Sequence, residues 1–151
     1  MARTIFYDLS SWRRFLLSGP DRKLFLQGLV TNDVVKAAPY VEVQCCLLTP
    51  KGKLQAHFWH YELGDQSLLA CPEASAGNLK AAIEKVLPLS ESIFTDASAR
   101  WSQYWTRSSV GAIEAEIALP FSALGEPGAL ALVQPAGAAA FENGGERTPF
   151  E

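Results

Sequence analysis

The sequence predicts an α+β fold, in which an antiparallel sheet meander is joined to a ferredoxin-like β-α-β-β-α-β unit. Two observations lead to this prediction. After residue 40, short apolar runs alternate with turn signals, which is typical of antiparallel strands. One helical pattern follows the third run and another follows the fifth, as the ferredoxin-like order requires. With 48% apolar residues, a chain of 151 residues can bury one compact core.

Residues 1–40 are expected to form a helical segment. The stretch Gly19–Asp21 (GPD) predicts a helix start, because proline fits the first turn and aspartate favours the positive end of the helix dipole. Gly28 is expected to end this helix in a left-handed conformation. Asn32 and Asp33 then predict a turn, because their side chains can bond to the nearby backbone.

Three strands of a meander are predicted next. The runs VEVQCCLLTP, KLQAHFWHYEL and SLLAC are separated by turns at Thr49–Gly52 and at Gly64–Asp65. Proline and glycine take the second and fourth positions of the first turn, as a β-turn favours.

The β-α-β-β-α-β order is predicted between Ser67 and Gln134. An amphipathic helix is indicated by one apolar stripe and by a proline just beyond it, at Leu79, Ile83, Val86 and Pro88. A second helix is expected after Ser109, with Val110, Ile113 and Ile117 facing inward. The predicted organisation is therefore 1–40 for the helical segment, 41–135 for the meander and ferredoxin-like unit, and 136–151 for a tail or linker.

Charge and cysteine content exclude several classes of protein. The net charge is −3 and no basic cluster exceeds two residues, as at Arg13-Arg14, so neither a nucleic-acid partner nor an anionic membrane partner is expected. No apolar run approaches the roughly 18 residues of a membrane span. The start, MARTIFYDLSSWRRF, carries charges where a signal peptide needs apolar residues. The three cysteines, an odd number, favour reduced thiols and a cytoplasmic protein.

The residues most often used as metal ligands are poorly spaced for chelation. His57 and His60 fall on one predicted strand at an odd spacing, so they point to opposite faces. Cys45 and Cys46 also point apart, and there is no CxxC motif. We therefore expect no metal site.

Three residues of another predicted strand, Trp101, Gln103 and Trp105, share one face. The two indoles either stack on a flat heterocycle or are buried in the core, which is the commoner use of aromatic residues on strands. The motifs GxSxG, GxxxxGK[ST], HExxH and GxGxxG do not occur, and no catalytic residue is predicted.

Several stretches together resemble a known family: Asp8–Ser10 (DLS), Gly19–Asp21 (GPD), Phe25–Val34 (FLQGLVTNDV) and Leu47–Leu54 (LLTPKGKL). They are similar to the N-terminal part of the T-protein/YgfZ superfamily over roughly residues 5 to 100. Members include the aminomethyltransferase of the glycine cleavage system and YgfZ-type folate-binding proteins linked to iron-sulfur cluster maintenance.

This resemblance implies a fold with a central hole that binds tetrahydrofolate. A pterin needs a carboxylate at its amidine-like edge and apolar or aromatic walls, and the glutamate tail needs a cation. The resemblance suggests Asn78, Asn32, Asp33 and Lys51 as folate-binding residues. Each also has a structural interpretation: helix capping for Asn78, a turn for Asn32 and Asp33, and solvation of the hairpin tip for Lys51.

Asn78 bears on the choice of subfamily. In the aminomethyltransferases, the resemblance implies an aspartate near this position, beside the reacting folate nitrogen. An asparagine cannot hold a negative charge or accept the proton, and no acidic residue lies between Glu73 and Glu84. The resemblance therefore favours a YgfZ-like, non-catalytic folate-binding protein that supports iron-sulfur cluster assembly or repair. A T-protein fragment and an interaction domain that has lost folate binding are the alternatives.

Two later family segments, K-G-C-[YF]-x-G-Q-E and G-Y-T-G-E, are not in this sequence. The resemblance therefore suggests an N-terminal portion, and its expected partners are a C-terminal half or a second copy of the chain. Iron-sulfur client proteins are the further partners that it implies.

Overall fold

The computed structural model describes residues 4–122 and 125–148. In chain order, the strands and helices are β1 (Thr4–Asp8), β2 (Arg13–Ser18), α1 (Arg22–Gln27), β3 (Val43–Leu48), β4 (Leu54–Glu62), β5 (Gln66–Cys71), α2 (Glu73–Val86), β6 (Ile93–Asp96), β7 (Ser102–Thr106), β8 (Ile117–Pro120), β9 (Ala129–Val133), α3 (Ala138–Asn143) and β10 (Gly145–Thr148). This mixture of antiparallel sheets and few helices confirms the predicted α+β class.

The chain divides into two compact units. The inserted unit is Trp12–Ala97, and the terminal unit combines the described parts of Met1–Ser11 and Ser98–Glu151. Each unit has its own five-stranded sheet, with the order β3-β4-β5-β2-β6 in the inserted unit and β10-β1-β7-β9-β8 in the terminal unit.

The inserted unit contains the predicted meander. Strands β3, β4 and β5 pair in antiparallel order, and β2 and β6 extend the sheet beyond β5. Along β4, Ala56 and Phe58 alternate inward as the twofold period of a strand requires. They pack in the same core cluster as Leu79 and Ile83, which lie on the apolar stripe of α2. The amphipathic pattern thus places α2 on one face of this sheet.

In the terminal unit, the second predicted helix does not form. A single 3-10 turn at Val110–Ala112 follows Ser109, and Ile117 already belongs to strand β8, which pairs with β9. The sequence offers a physical reason, because the valine and the isoleucines are β-branched and Gly111 is a poor helix former. The strands expected to be central to the β-α-β-β-α-β order, β6 and β7, lie in different sheets.

Residues 1–40 contain more strand than the predicted helical segment. Besides α1, they supply β1 to the terminal unit and β2 to the inserted unit. Helix α1 does begin after Asp21 and end at Gln27, but Gly28 has a φ of −70°, so the predicted left-handed stop is wrong. The chain instead leaves the helix in a right-handed turn, and Val30 then bridges to Leu47 of β3.

Within the described ranges, no helix is long and apolar enough to cross a membrane.

Candidate functional site

The TND stretch of the FLQGLVTNDV motif runs along the outer edge of β3. The backbone N–H of Thr31 donates to the carbonyl of Cys46 at 3.0 Å, and the Thr31 hydroxyl accepts from the Cys46 N–H at 3.1 Å. The side-chain amide of Asn32 donates to the carbonyl of Gln44 at 3.0 Å. These bonds, with the isolated bridge between Val30 and Leu47, attach the segment to the edge of the sheet.

The following turn is held by side chains of the same motif. The Asn32 side-chain oxygen accepts from the N–H of Asp33 at 2.8 Å, and the Asp33 carboxylate accepts from the N–H of Lys36 at 3.2 Å. The side-chain oxygen of Gln27 accepts from the N–H groups of Val34 and Val35, at 2.8 and 3.2 Å. The turn predicted for Asn32 and Asp33 is therefore confirmed, while their contact with folate stays a prediction.

Asn78 lies in the second turn of α2 rather than at its start, so its predicted capping role is wrong. Its side-chain amide donates to the carbonyl of Gln55 at 2.9 Å. One turn earlier, the Ser75 hydroxyl accepts from the N–H of His57 at 3.3 Å. Both contacts reach the stretch of β4 that lies ahead of its pairing with β5, which begins at Trp59. Asn78 and Ser75 thus satisfy backbone groups at this edge of β4.

Lys51 is exposed at the tip of the β3–β4 hairpin. The N–H of Gly52 donates to the Thr49 carbonyl at 2.8 Å, and the Thr49 hydroxyl accepts from the N–H of Lys53 at 3.0 Å. The turn forms as its proline and glycine predict, and it presents the Lys51 ammonium to solvent.

The four predicted folate residues therefore surround one hairpin but do not converge on one point. Asn32 and Asp33 lie beside the outer edge of β3, Lys51 lies at the tip, and Asn78 lies against β4. Three of them already bond to the backbone, so the inserted unit supplies a rigid frame at these positions.

His57 and His60 lie on opposite faces of the sheet, as predicted, and so do Cys45 and Cys46. His60 is fully buried, whereas His57 is half-buried with its ring centroid 4.5 Å from that of Trp59. Cys45 is fully buried, and burial raises the pKa of its thiol to about 12. Cys46 is half-buried on the opposite face. Across the described ranges, no group of three or more histidine, cysteine, aspartate or glutamate side chains is arranged to hold a metal ion.

The indoles of Trp101 and Trp105 are core residues. Both are almost fully buried, and Gln103 between them is fully buried. The Trp105 indole N–H donates to the carbonyl of Phe121 at 2.9 Å, and that of Trp101 donates to the Glu116 carboxylate at 2.6 Å. The alternative of an exposed stacking surface is therefore excluded.

The terminal unit contains a groove of about 610 Å³ that the sequence does not indicate. Its walls include buried Phe6 and Val133 and half-buried Phe141, and two exposed residues, Glu114 and Glu116, also line it. This volume is within the range of small-molecule sites. The lining residues come from several separate stretches of the chain, so no local pattern could have indicated the groove.

Tyr104 packs against Phe141, one of the residues that line this groove. Its ring stacks on that of Phe141 with centroids 4.6 Å apart, and its hydroxyl donates to the Glu142 carboxylate at 2.8 Å. Burial and this bond raise the pKa of Tyr104 above its ordinary value. The tyrosine therefore attaches α3 to the sheet as a neutral donor.

Comparison with known proteins supports one fold assignment. No family model matches the chain, and no curated protein matches it. A solved structure, that of glycine cleavage system aminomethyltransferase T from Bartonella henselae, superposes with a TM-score of 0.79 over 98% of this chain. The chain has a T-protein-like fold. It shares 14% sequence identity with the Bartonella T-protein and covers 48% of it, about half the length of that enzyme.

Proposed function

We propose that this chain is a tetrahydrofolate-binding portion of a protein with a T-protein-like fold. The observation that carries the proposal is the fold likeness across nearly the whole chain to an aminomethyltransferase of the glycine cleavage system. Two motifs by which the sequence resembles that superfamily meet at the β3–β4 hairpin: LLTPKGKL spans its turn, and the TND stretch of FLQGLVTNDV lies beside β3. They organise this hairpin and its neighbouring segment through the backbone bonds described above.

The chemistry of the described residues fits part of a folate ligand. The groove of the terminal unit offers aromatic walls and carboxylates, which are the groups that a pterin requires. Among the described residues that line it, none is a lysine or an arginine. The exposed ammonium of Lys51 is suited to the anionic glutamate tail, and it belongs to the inserted unit.

Thermal unfolding of the chain with and without tetrahydrofolate tests this proposal. A ligand that binds only the folded state at one hundred times its dissociation constant stabilises it by about 2.7 kcal/mol, so the melting temperature should rise. Lys51→Met should lower the affinity for tetrahydrofolate about twofold to fivefold, as expected for the loss of one exposed ion pair with the glutamate tail. The matched control is Lys53→Met, which removes an exposed lysine from the same hairpin and should leave affinity unchanged. No stabilisation at millimolar tetrahydrofolate would favour the interaction-domain alternative.

Aminomethyl transfer is the activity that the fold neighbour favours. A protein that carries this chain and acts as a T-protein would release ammonia from the aminomethyl-loaded carrier protein only when tetrahydrofolate is present. The assay therefore compares ammonia release with and without tetrahydrofolate. Binding of the folate without any such release would contradict this activity and leave the binding proposal standing.

A non-catalytic, YgfZ-like role in iron-sulfur cluster assembly or repair is favoured by Asn78. Its side-chain amide is bound to the Gln55 carbonyl, and α2 offers no carboxylate between Glu73 and Glu84. Deleting the gene should then lower the activity of iron-sulfur enzymes while glycine cleavage continues. Unchanged iron-sulfur enzyme activities in the deletion strain would contradict this role.

A further inference from the structure

His60 lies inside the inserted unit with no route to solvent. It is on β4, none of its surface is exposed, and within the described part of the chain neither ring nitrogen has a hydrogen-bond partner. Its cross-strand neighbours are Val43 on β3 and Leu69 on β5, both apolar. A buried polar ring without partners is uncommon, because each unpaired group loses its bonds to water.

The charged groups that face His60 come from its own strand and from α1. Glu62 lies two residues along β4, on the same face, and is almost fully buried. Arg22 of α1 forms an ion pair with the Glu62 carboxylate, and the Lys23 ammonium lies 3.6 Å from it. The backbone N–H of Gly64 also donates to the Glu62 carboxylate at 3.0 Å. The hydroxyl of Ser67, the residue opposite Glu62 on β5, has no partner among the described residues.

A proton on His60 would therefore be unfavourable in the folded state. Burial is the main cause that lowers the pKa of His60 to about 4, and the positive charges of Lys23 and Arg22 act in the same direction. Glu62 opposes them, because a carboxylate favours the charged ring. An imidazolium beside Glu62 would compete with both cations for the same carboxylate.

The Glu62 carboxylate is one of the groups that attach helix α1 to the sheet. The helix has six residues, too few to be stable alone, and it is attached by the ion pairs to Glu62 and by buried Leu26. Arg22 also donates to the Gly64 carbonyl at 3.0 Å, and the carboxylate of Asp21, just before the helix, accepts from the Ser92 hydroxyl at 2.8 Å and from the Glu91 N–H at 3.0 Å. Through Gln27 the helix also holds the backbone of Val34 and Val35. Loosening of α1 would therefore extend to the segment along the edge of β3.

We propose that His60 makes the attachment of α1 to the sheet acid-sensitive: protonation of His60 takes Glu62 from Arg22 and Lys23 and releases α1 together with the segment up to Lys36. The direction follows from proton linkage. The released state binds the proton with an ordinary histidine affinity, so it gains population as the pH falls below about 6.5. The attachment is fully present above that pH and weakens progressively down to about pH 4.

Hydrogen exchange, corrected for the intrinsic effect of pH, tests this inference. Between pH 7.5 and pH 5, protection of the amides in residues 22–36 should fall about 30-fold. The reason is that the released state binds one more proton than the attached state over the roughly 1.5 pH units between about 6.5 and 5. Protection of β5 should change less, because the sheet stays formed. In His60→Leu, which removes the titrating ring and keeps an apolar side chain, the loss between these pH values should disappear. His57→Leu, on the same strand, is the matched control and should behave as the unaltered chain.

Proton NMR of the unaltered chain provides a second measurement that needs no variant. The sequence contains two histidines, so their ring signals can be assigned with His57→Leu. The His60 signal should remain in its neutral position until α1 opens. Titration of His60 near pH 6.5 with unchanged protection of residues 22–36 would overturn the inference. Equal loss of protection in β5 and in 22–36, or the same loss in His60→Leu, would also overturn it.

Discussion

The side-chain oxygen of Gln27 accepts a 2.8 Å hydrogen bond from the backbone N–H of Val34, a residue with no exposed surface. The same oxygen accepts a second bond from Val35. One glutamine at the end of α1 therefore fixes the backbone of the loop that follows the TND stretch. The Gln27 amide therefore has a structural role in the motif that requires no bound ligand.

Gln27→Ala should destabilise the chain by about 1–3 kcal/mol, because a buried backbone donor then loses its partner. Urea unfolding monitored by circular dichroism measures this change. Gln55→Ala is the matched control, since Gln55 is exposed on β4 and its bond to Asn78 is made by its backbone carbonyl. The control should remain within about 0.5 kcal/mol of the unaltered chain. Equal effects of the two substitutions would contradict the assigned role of Gln27.

Asn78→Ala separates a structural role from a ligand role. The substitution removes the bond to the Gln55 carbonyl and should cost about 0.5–1.5 kcal/mol of stability. Ser75→Ala removes the neighbouring bond to His57 and should cost a similar amount. If Asn78 also contacts folate, only Asn78→Ala should weaken tetrahydrofolate binding, as measured by calorimetric titration. Equal affinities in the two variants would exclude the folate contact.

Two glycine-to-alanine substitutions should change stability in opposite directions. Gly19 has a φ of +115°, and a Cβ there would lie 2.6 Å from the Glu91 carbonyl oxygen, so Gly19→Ala should destabilise by more than about 1 kcal/mol. Gly77 lies within α2, where a Cβ would meet nothing within 4 Å, so Gly77→Ala should stabilise by about 0.5–1 kcal/mol. Thermal melts of both variants, made in parallel, measure the two signs. A destabilised Gly77→Ala would contradict the open surroundings of this residue.

Thiol reactivity should distinguish the three cysteines. Cys45 and Cys71 are fully buried, and burial raises the pKa of each thiol to about 12, so little reactive thiolate forms. Cys46 is half-buried and accessible by comparison. In native buffer at pH 8, an aromatic disulfide reagent should therefore react quickly with one thiol per chain, and with three after denaturation. Cys46→Ser should abolish the quick native reaction, and persistence of that reaction would show that a buried thiol is exposed.

The meander and α2 could be predicted because their signals are local. The turn at Thr49–Gly52 and the spacing of Leu79 and Ile83 each depend on residues close in sequence. The two-unit organisation depends on contacts between residues far apart in sequence. Phe6 pairs with Thr106, and the whole inserted unit lies between them in the sequence. Neither residue carries a pattern that indicates its partner. The spacing of Val110, Ile113 and Ile117 predicts a helix, but Ile117 instead belongs to a strand that pairs with β9.

The candidate site was predictable to a similar extent. The side chains of Asn32 and Asp33 bond to the backbone as their residue types suggest. The partner of Asn78 could not be foreseen, because it depends on how α2 lies against β4. The burial of His60 has the same origin, since its environment is set by β3, β5 and α1 rather than by its neighbours in sequence.

The attachment of Val30, Thr31 and Asn32 to β3 also affects how molecules of this protein meet one another. An uncovered strand offers its N–H and C=O groups as a template for a strand from a second molecule. Here the chain's own polypeptide already occupies those groups at Gln44 and Cys46. While Val30, Thr31 and Asn32 remain bound to β3, these backbone groups are not available to pair with a strand of a second molecule. The three residues therefore protect this edge of the sheet from aggregation by β-pairing.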